Sequence, residues 1–137
     1  MAPSKQKFVQ TSGTRKKAVA RAVIKEGSGI IRINGKNINT VQSNMLRLKM
    51  LEPIIIYGKA LNYDIDITTQ GGGITGQADA VRLVIAKALV GITKDNNLKK
   101  EYSDYDKSLL VADVRVKETR KPNRHGKARA RKQTSYR

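Results

Sequence analysis

From Phe8 to Ile38 the chain reads as β-structure. In "KAVARAVIKEGSGIIRINGKNI" small or branched residues alternate with charged ones, broken at Glu26-Gly27-Ser28-Gly29 and again at Asn34-Gly35. Asn-Gly accepts a positive φ at both central positions of a tight hairpin turn, so strands are predicted near 17–25, 30–33 and 36–38. Ala18, Ala20 and Ala22 form a face small enough for a helix to approach closely, and Arg21 and Lys25 point the other way. Thr40 is placed to cap a helix running to about Glu52, with Val41, Met45, Leu48 and Leu51 as its stripe and Pro53 as its stop. "YDIDITTQ" alternates as a half-buried strand, Tyr63, Ile65 and Ile67 on one face and Asp64 and Asp66 on the other. The strongest helix is "GQADAVRLVIAKALVG", where Ala78, Val81, Ile85, Ala88 and Leu89 share a face and Gly91 offers a stop. "NNLKKEYSDYD" spaces Leu98, Tyr102 and Tyr105 for packing on one helical face, and "SLLVADV" is the last apolar segment. No internal repeat is present.

This division predicts one α/β (α+β) domain over 8–114, a flexible polar N-terminus at 1–7 and a basic extension at 115–137. The 137 residues suffice for one modest core. From Thr119 to Arg137 there are eight basic residues and no acidic one, so this segment cannot bury enough apolar area to offset its ordering entropy and is expected to be disordered alone in water. Fully extended, its nineteen residues reach roughly 60 Å. The whole chain carries 28 Lys+Arg against 11 Asp+Glu, a formal charge of +17, which makes nucleic acid the default partner. No apolar run approaches the roughly 20 residues that span a bilayer, so membrane is not expected among the partners. The start "MAPSKQKFVQ" lacks a secretory apolar stretch, which points to a cytosolic address. Cysteine is absent, excluding disulfides and Cys-ligated zinc. Five Tyr, one Phe and no Trp are too few for a platform that stacks single-stranded bases.

Only one motif invites an enzymatic reading. "GGGITG" satisfies G-x-G-x-x-G through Gly71, Gly73 and Gly76, between a predicted strand and a predicted helix. The preceding strand, however, alternates with aspartates, whereas a central parallel strand is nearly continuously apolar. The helix is also not followed by a strand ending in an acidic ribose ligand. A glycine turn that lets backbone and helix N-terminus come close to something is the better reading, and a phosphate of RNA suits such a terminus as well as a nucleotide does. His125 is the only histidine and has no Cys partner, which favours a solvated or RNA-facing role. Asp64 and Asp66 have the spacing to hold Mg²⁺, but alternating carboxylates on a solvated sheet face are commoner. No catalytic residue, metal site or cofactor is expected.

"GTRKKAVARAVIKEGSGIIRINGK", "GGGITGQADAVRLVIAKAL", "YDKSLLVADVR" and the closing "KARARKQTSYR" together resemble the small-subunit ribosomal protein nine family in its archaeal and eukaryotic form, with the archaeal branch closer. The likeness runs from about Val9 to Arg137, with the motifs in the same order. It implies a four-stranded sheet backed by helices, of the type of the second domain of ribosomal protein S-five, and a long basic extended C-terminal tail. It implies docking on the head of the small subunit, with small-subunit rRNA, peptidyl-site tRNA and neighbouring head proteins as partners, and no small-molecule substrate. Carried over by residue, the opening motif matches Arg15, Lys16, Lys17 and Arg21 and the glycine turn matches Gly71, Gly72, Gly73, Gly76 and Gln77, all expected on rRNA. Arg115, Lys117, Arg120, Lys121, Arg124, Lys127, Arg129 and Arg131 are expected on rRNA along the tail, and Lys132, Tyr136 and Arg137 on the tRNA backbone. The chain departs from the family pattern at Lys132, where an aromatic is usual, at Thr134, where a lysine is, and at Val114, where proline is frequent. The same fold occurs in small-molecule kinases with a glycine-rich phosphate loop, so fold alone does not assign function.

Overall fold

A computed structural model describes residues 8–130. Five strands, β1 (Phe8–Arg15), β2 (Ala18–Glu26), β3 (Ile31–Ile33), β4 (Lys36–Asn37) and β5 (Tyr63–Gln70), form one sheet in the order β1-β2-β5-β3-β4. All neighbours run antiparallel except β3 and β5, which are parallel. Helices α1 (Asn44–Tyr57), α2 (Ile74–Thr93) and α3 (Asn96–Tyr105) complete an α+β fold.

The strand count exceeds the four implied by resemblance, and the strand that the pattern does not delimit is β1. Its inward residues are Val9, Thr11 and Gly13, two of them with little apolar character, so hydropathy alternation does not mark it as a strand. Pairing with β2 across all eight residues does, from Phe8 opposite Lys25 to Arg15 opposite Ala18. Gly13 is the inward position where α2 comes closest: a Cβ there would lie 2.8 Å from Leu83 and 2.9 Å from Val84. The alanine face of β2 behaves as the pattern predicts, with Ala18, Ala20 and Ala22 buried beneath α2. The Asn34-Gly35 turn also forms, with both residues at positive φ between the paired Ile33 and Lys36. On β5, Ile65 and Ile67 are buried and Tyr63 is half-buried.

Helix α1 departs most from expectation. Thr40 belongs to a 3-10 turn, Ser43 caps α1 at Leu46, and the helix continues through Pro53 to Gly58, whose left-handed φ of 63° ends it. Pro53 leaves the Lys49 carbonyl without its helical donor, but the residue is buried and its own carbonyl accepts a 2.7 Å hydrogen bond from the Tyr102 hydroxyl of α3. Tertiary packing therefore outweighs the local cost of proline. The inward stripe is Leu46, Met50 and Pro53, whereas Met45 and Leu48 are exposed. Apolar residues occur all round this helix, so periodicity cannot select its buried face.

The predicted stripe of α2 is buried throughout, but Gly91 does not stop the helix. It lies inside the last turns, against Val9 of β1, and Lys94 ends the helix in the left-handed region. In α3, Leu98 and Tyr102 are buried while Tyr105 is exposed. Burial pushes the Tyr102 phenol well above its ordinary range.

One buried cation ties the helices together. Arg82 of α2 donates to Glu52 of α1 and, at 3.1 and 3.0 Å, to Asp106 and Ser108 after α3. Arg82→Met is expected to lower stability by about 1 to 3 kcal/mol, less than for a fully buried pair because water reaches both carboxylates. A lowered urea midpoint at unchanged denaturant slope is the expected readout, and an unchanged midpoint rules this role out.

Candidate nucleic-acid interface

The β1–β2 connection consists of Lys16 and Lys17 alone, and both side chains are exposed. Lys16 sits at φ 54°, a conformation that costs a residue with a side chain about 1 kcal/mol or more. The turn thus projects two adjacent cations from the end of the sheet.

The glycine run meets this turn from below. Gly71 and Gly72 have φ of 76° and 63°, and added Cβ atoms would lie 2.7 Å from the Lys17 carbonyl oxygen and 2.8 Å from the Ala18 nitrogen. Gly76 packs more loosely, 3.4 Å from the Arg15 carbonyl oxygen, and the Gln77 side-chain amide donates to the Gly71 carbonyl at 3.0 Å. These residues seat the start of α2 against the hairpin. Gly73 differs: nothing lies within 4 Å of its Cβ position. It is the N-cap of α2 and supplies no side-chain cap, so the first-turn N–H groups face outward with the positive end of the helix dipole.

Beyond Leu110 the described residues carry no helix or strand, and Val116–Arg120 runs past this helix start. The result is an open groove of about 710 Å³ that brings together Lys16, Lys17, Gly72, Gly73, Gly76, Lys117 and Arg120, all expected on rRNA, with Ile74, Thr75, Val116, Glu118 and Thr119. Sequence reasoning missed Thr75, whose exposed hydroxyl adds a donor beside the backbone N–H groups.

Other predicted residues stand elsewhere. Arg15 lines the groove, yet its guanidinium is largely taken up by Asp79 of α2, at 3.8 Å, and Asp113, at 3.3 Å. Its Nη1 makes no hydrogen bond of good geometry, so the Asp113 contact is a charge pair only. Arg115 grips Asp113 through side-chain hydrogen bonds of 2.7 to 3.1 Å, and this holds the Asp113 carboxyl far below the ordinary carboxylate range. Arg129 pairs with Glu118 at 2.6 and 3.0 Å. Arg21 lies apart from the groove, on the opposite sheet face.

The basic extension is also not fully extended over its described part. The Lys121 amide donates to the Lys127 carbonyl at 3.2 Å and the Lys127 amide to the Arg124 carbonyl at 3.0 Å, closing a turn in which Asn123, His125 and Gly126 adopt positive φ. Lys121, Arg124, Lys127 and His125 are exposed there. The expected N-terminal segment 1–7 and the tail residues Arg131, Lys132, Tyr136 and Arg137 lie outside the described residues.

The two strand aspartates are occupied by the protein itself. One Asp64 oxygen accepts from the amides of Ile30, Ser28 and Gly29 at 2.9 to 3.0 Å, which lowers its pKa and shapes the loop that the Gly27-Ser28-Gly29 break predicts. Asp66 pairs with Lys25 and Arg32. Among the described residues no cluster of His, Asp and Glu has the arrangement to hold a metal ion.

A basic groove at the uncapped start of a helix, held open by glycines, belongs to a class of sites that attract phosphate. The chain itself belongs to the ribosomal protein S9/S16 family, whose sequence model matches residues 13–137. It is 48% identical over 131 residues to the small ribosomal subunit protein uS9 of Thermoplasma volcanium, covering 95% of this chain and 98% of that one. To the small ribosomal subunit protein uS9 of Methanococcus maripaludis it is 46% identical over 133 residues, covering 96% and 99%. Within the family it falls in the archaeal branch.

Proposed function

We propose that this chain is a structural, non-enzymatic constituent of the small ribosomal subunit in the cytoplasm, and that the groove at the start of α2 receives rRNA backbone. The observation that carries this reading is the convergence of Lys16, Lys17, Lys117 and Arg120 on the outward-facing amides of an uncapped helix. Each supplies a donor to phosphate oxygens without reading a base, which suits placement of a protein on a folded RNA. The glycine run serves this geometry: Gly71 and Gly72 allow the helix start to reach the hairpin, and Gly73 leaves the approach open.

The extension supplies the second part of the function. Its exposed cations lose little by leaving water for phosphate surroundings, and the ordering cost is met on assembly. Lys121, Arg124, Lys127 and Arg131 take rRNA phosphate, and the Glu118 pair of Arg129 and the Asp113 pair of Arg115 exchange for phosphate in the same way. The last residues, Lys132, Tyr136 and Arg137, reach the backbone of peptidyl-site tRNA, where a guanidinium fork positions any tRNA alike. Neighbouring proteins of the subunit head are the remaining partners.

Sedimentation of the tagged chain from lysate through a sucrose gradient tests the assignment. Co-migration with the small subunit after a high-salt wash is expected; a chain that stays at the top of the gradient overturns it. Deleting Tyr136 and Arg137 is expected to leave incorporation intact and to weaken peptidyl-site tRNA binding by about 1 to 3 kcal/mol. Unchanged tRNA affinity removes the tail end from this role.

A further inference from the structure

Helix α2 covers one face of the sheet, and no described element packs on the other. On that open face the pleat presents Phe8, Gln10 and Ser12 from β1, Arg21 and Val23 from β2 and Thr68 from β5, all exposed. Register aligns Ser12, Arg21 and Thr68 in one row and Gln10, Val23 and Asp66 in the next. Gln10, Ser12, Arg21 and Val23 line a shallow hollow of about 340 Å³.

The charges on this face are divided. Toward the β3 side Asp66 sits between Lys25 and Arg32, and Asp64 is engaged by backbone amides, so that half is internally compensated. Arg21 takes part in no ion pair among the described residues. Its guanidinium fork therefore stands between two hydroxyl side chains with a primary amide beside them. Those groups match the phosphate oxygens, which accept, and the ribose hydroxyl, which donates and accepts, at the surface of an RNA helix. No aromatic residue lines the hollow itself; Phe8, exposed on the same face two positions before Gln10, lies at its edge, and together with Val23 it makes an apolar patch much smaller than a protein interface needs.

We propose that the helix-free face of the sheet is a second RNA surface, on which Gln10, Ser12, Arg21 and Thr68 hold the sugar-phosphate backbone of a segment distinct from the one in the groove. The proposal rests on the reading that the chain resides in ribosomal RNA. It makes the domain a bridge, with RNA at the start of α2 and RNA across the sheet. Gln10 stands about 17 Å along β1 from Arg15 and on the other face of the strand, so the two surfaces approach RNA from different sides of the sheet.

Because the chain has no cysteine, one introduced thiol is unique. Gln10→Cys and, separately, Thr75→Cys in the groove are each tethered to Fe-EDTA, bound to the full-length small-subunit RNA of the same organism, and the hydroxyl-radical cuts mapped. Cuts from both positions at different nucleotides are expected, and Arg21→Gln is expected to reduce the slope of log K against log salt by about 1. Cuts from Thr75→Cys alone, identical cuts from both, or an unchanged slope for Arg21→Gln each overturn the second surface and leave the groove assignment standing. Cuts from neither, with no RNA bound, overturn the ribosomal reading itself.

Discussion

Gly72→Ala is expected to cost about 3 kcal/mol and to lower the thermal midpoint by about 10 °C. Two penalties add at this position. A side chain at φ 63° costs roughly 1 to 2 kcal/mol, and its Cβ would lie 2.8 Å from the Ala18 nitrogen and 3.0 Å from the Ala18 Cβ, neither able to yield without moving β2. Gly73→Ala is the control, because that residue has an ordinary negative φ of −106° and open space around it; only the loss of about 0.5 to 1 kcal/mol that separates glycine from alanine at an N-cap is expected. Scanning calorimetry of the two variants decides the matter, and equal losses would show that the turn, and not the close approach at Gly72, sets the requirement. Gly73→Asp separates folding from binding: the carboxylate caps α2 and holds or slightly raises stability, while it places a negative charge where phosphate is received. Tighter RNA binding by Gly73→Asp would rule out an anion site at the helix start.

The second large effect concerns the hairpin cations. Lys16→Glu with Lys17→Glu is expected to weaken binding to small-subunit RNA more than a hundredfold at moderate salt, about 3 kcal/mol for two charge-assisted hydrogen bonds to phosphate. The salt slope should fall by roughly 0.7 to 0.9 for each phosphate that is no longer neutralised. Both side chains are exposed, and glutamate tolerates the turn no worse than lysine, so the thermal midpoint is expected to hold. Retained affinity with an unchanged slope would place the RNA elsewhere than the groove. The partner carboxylates Asp79 and Asp113 already occupy Arg15, which is why the test uses the turn residues and not Arg15.

The candidate site was only partly legible as a list of cations. Arg15, Lys16, Lys17 and Arg21 lie close together along the chain, yet Arg15 is bound into an acidic cluster and Arg21 faces away across the sheet. The glycine run was legible as a turn, but the different duties of its members were not. Gly71 and Gly72 answer to the backbone of Lys17 and Ala18, far earlier in the chain, and no local pattern records that meeting. Likewise Glu118 and Arg129 pair across the turn of the extension, so acidic residues near the tail decide which of its cations begin free.

Local pattern alone is enough for the elements whose signal is short-range: the alternation of β2 and β5, the Asn34-Gly35 turn, the buried stripe of α2 and the basic character of the chain's end. Each depends on residues a few positions apart, where sterics and burial act directly. Tertiary structure decided the rest. β1 is a strand because β2 pairs with it, Pro53 stays inside α1 because its burial and the Tyr102 hydrogen bond offset a missing helical one, and Gly91 serves inside α2 as the residue without a side chain where a Cβ would come within 3.1 Å of Val9. The groove exists because a hairpin turn, a helix start and a returning stretch of coil meet in space, and the free energy of that meeting is shared among residues far apart in the chain.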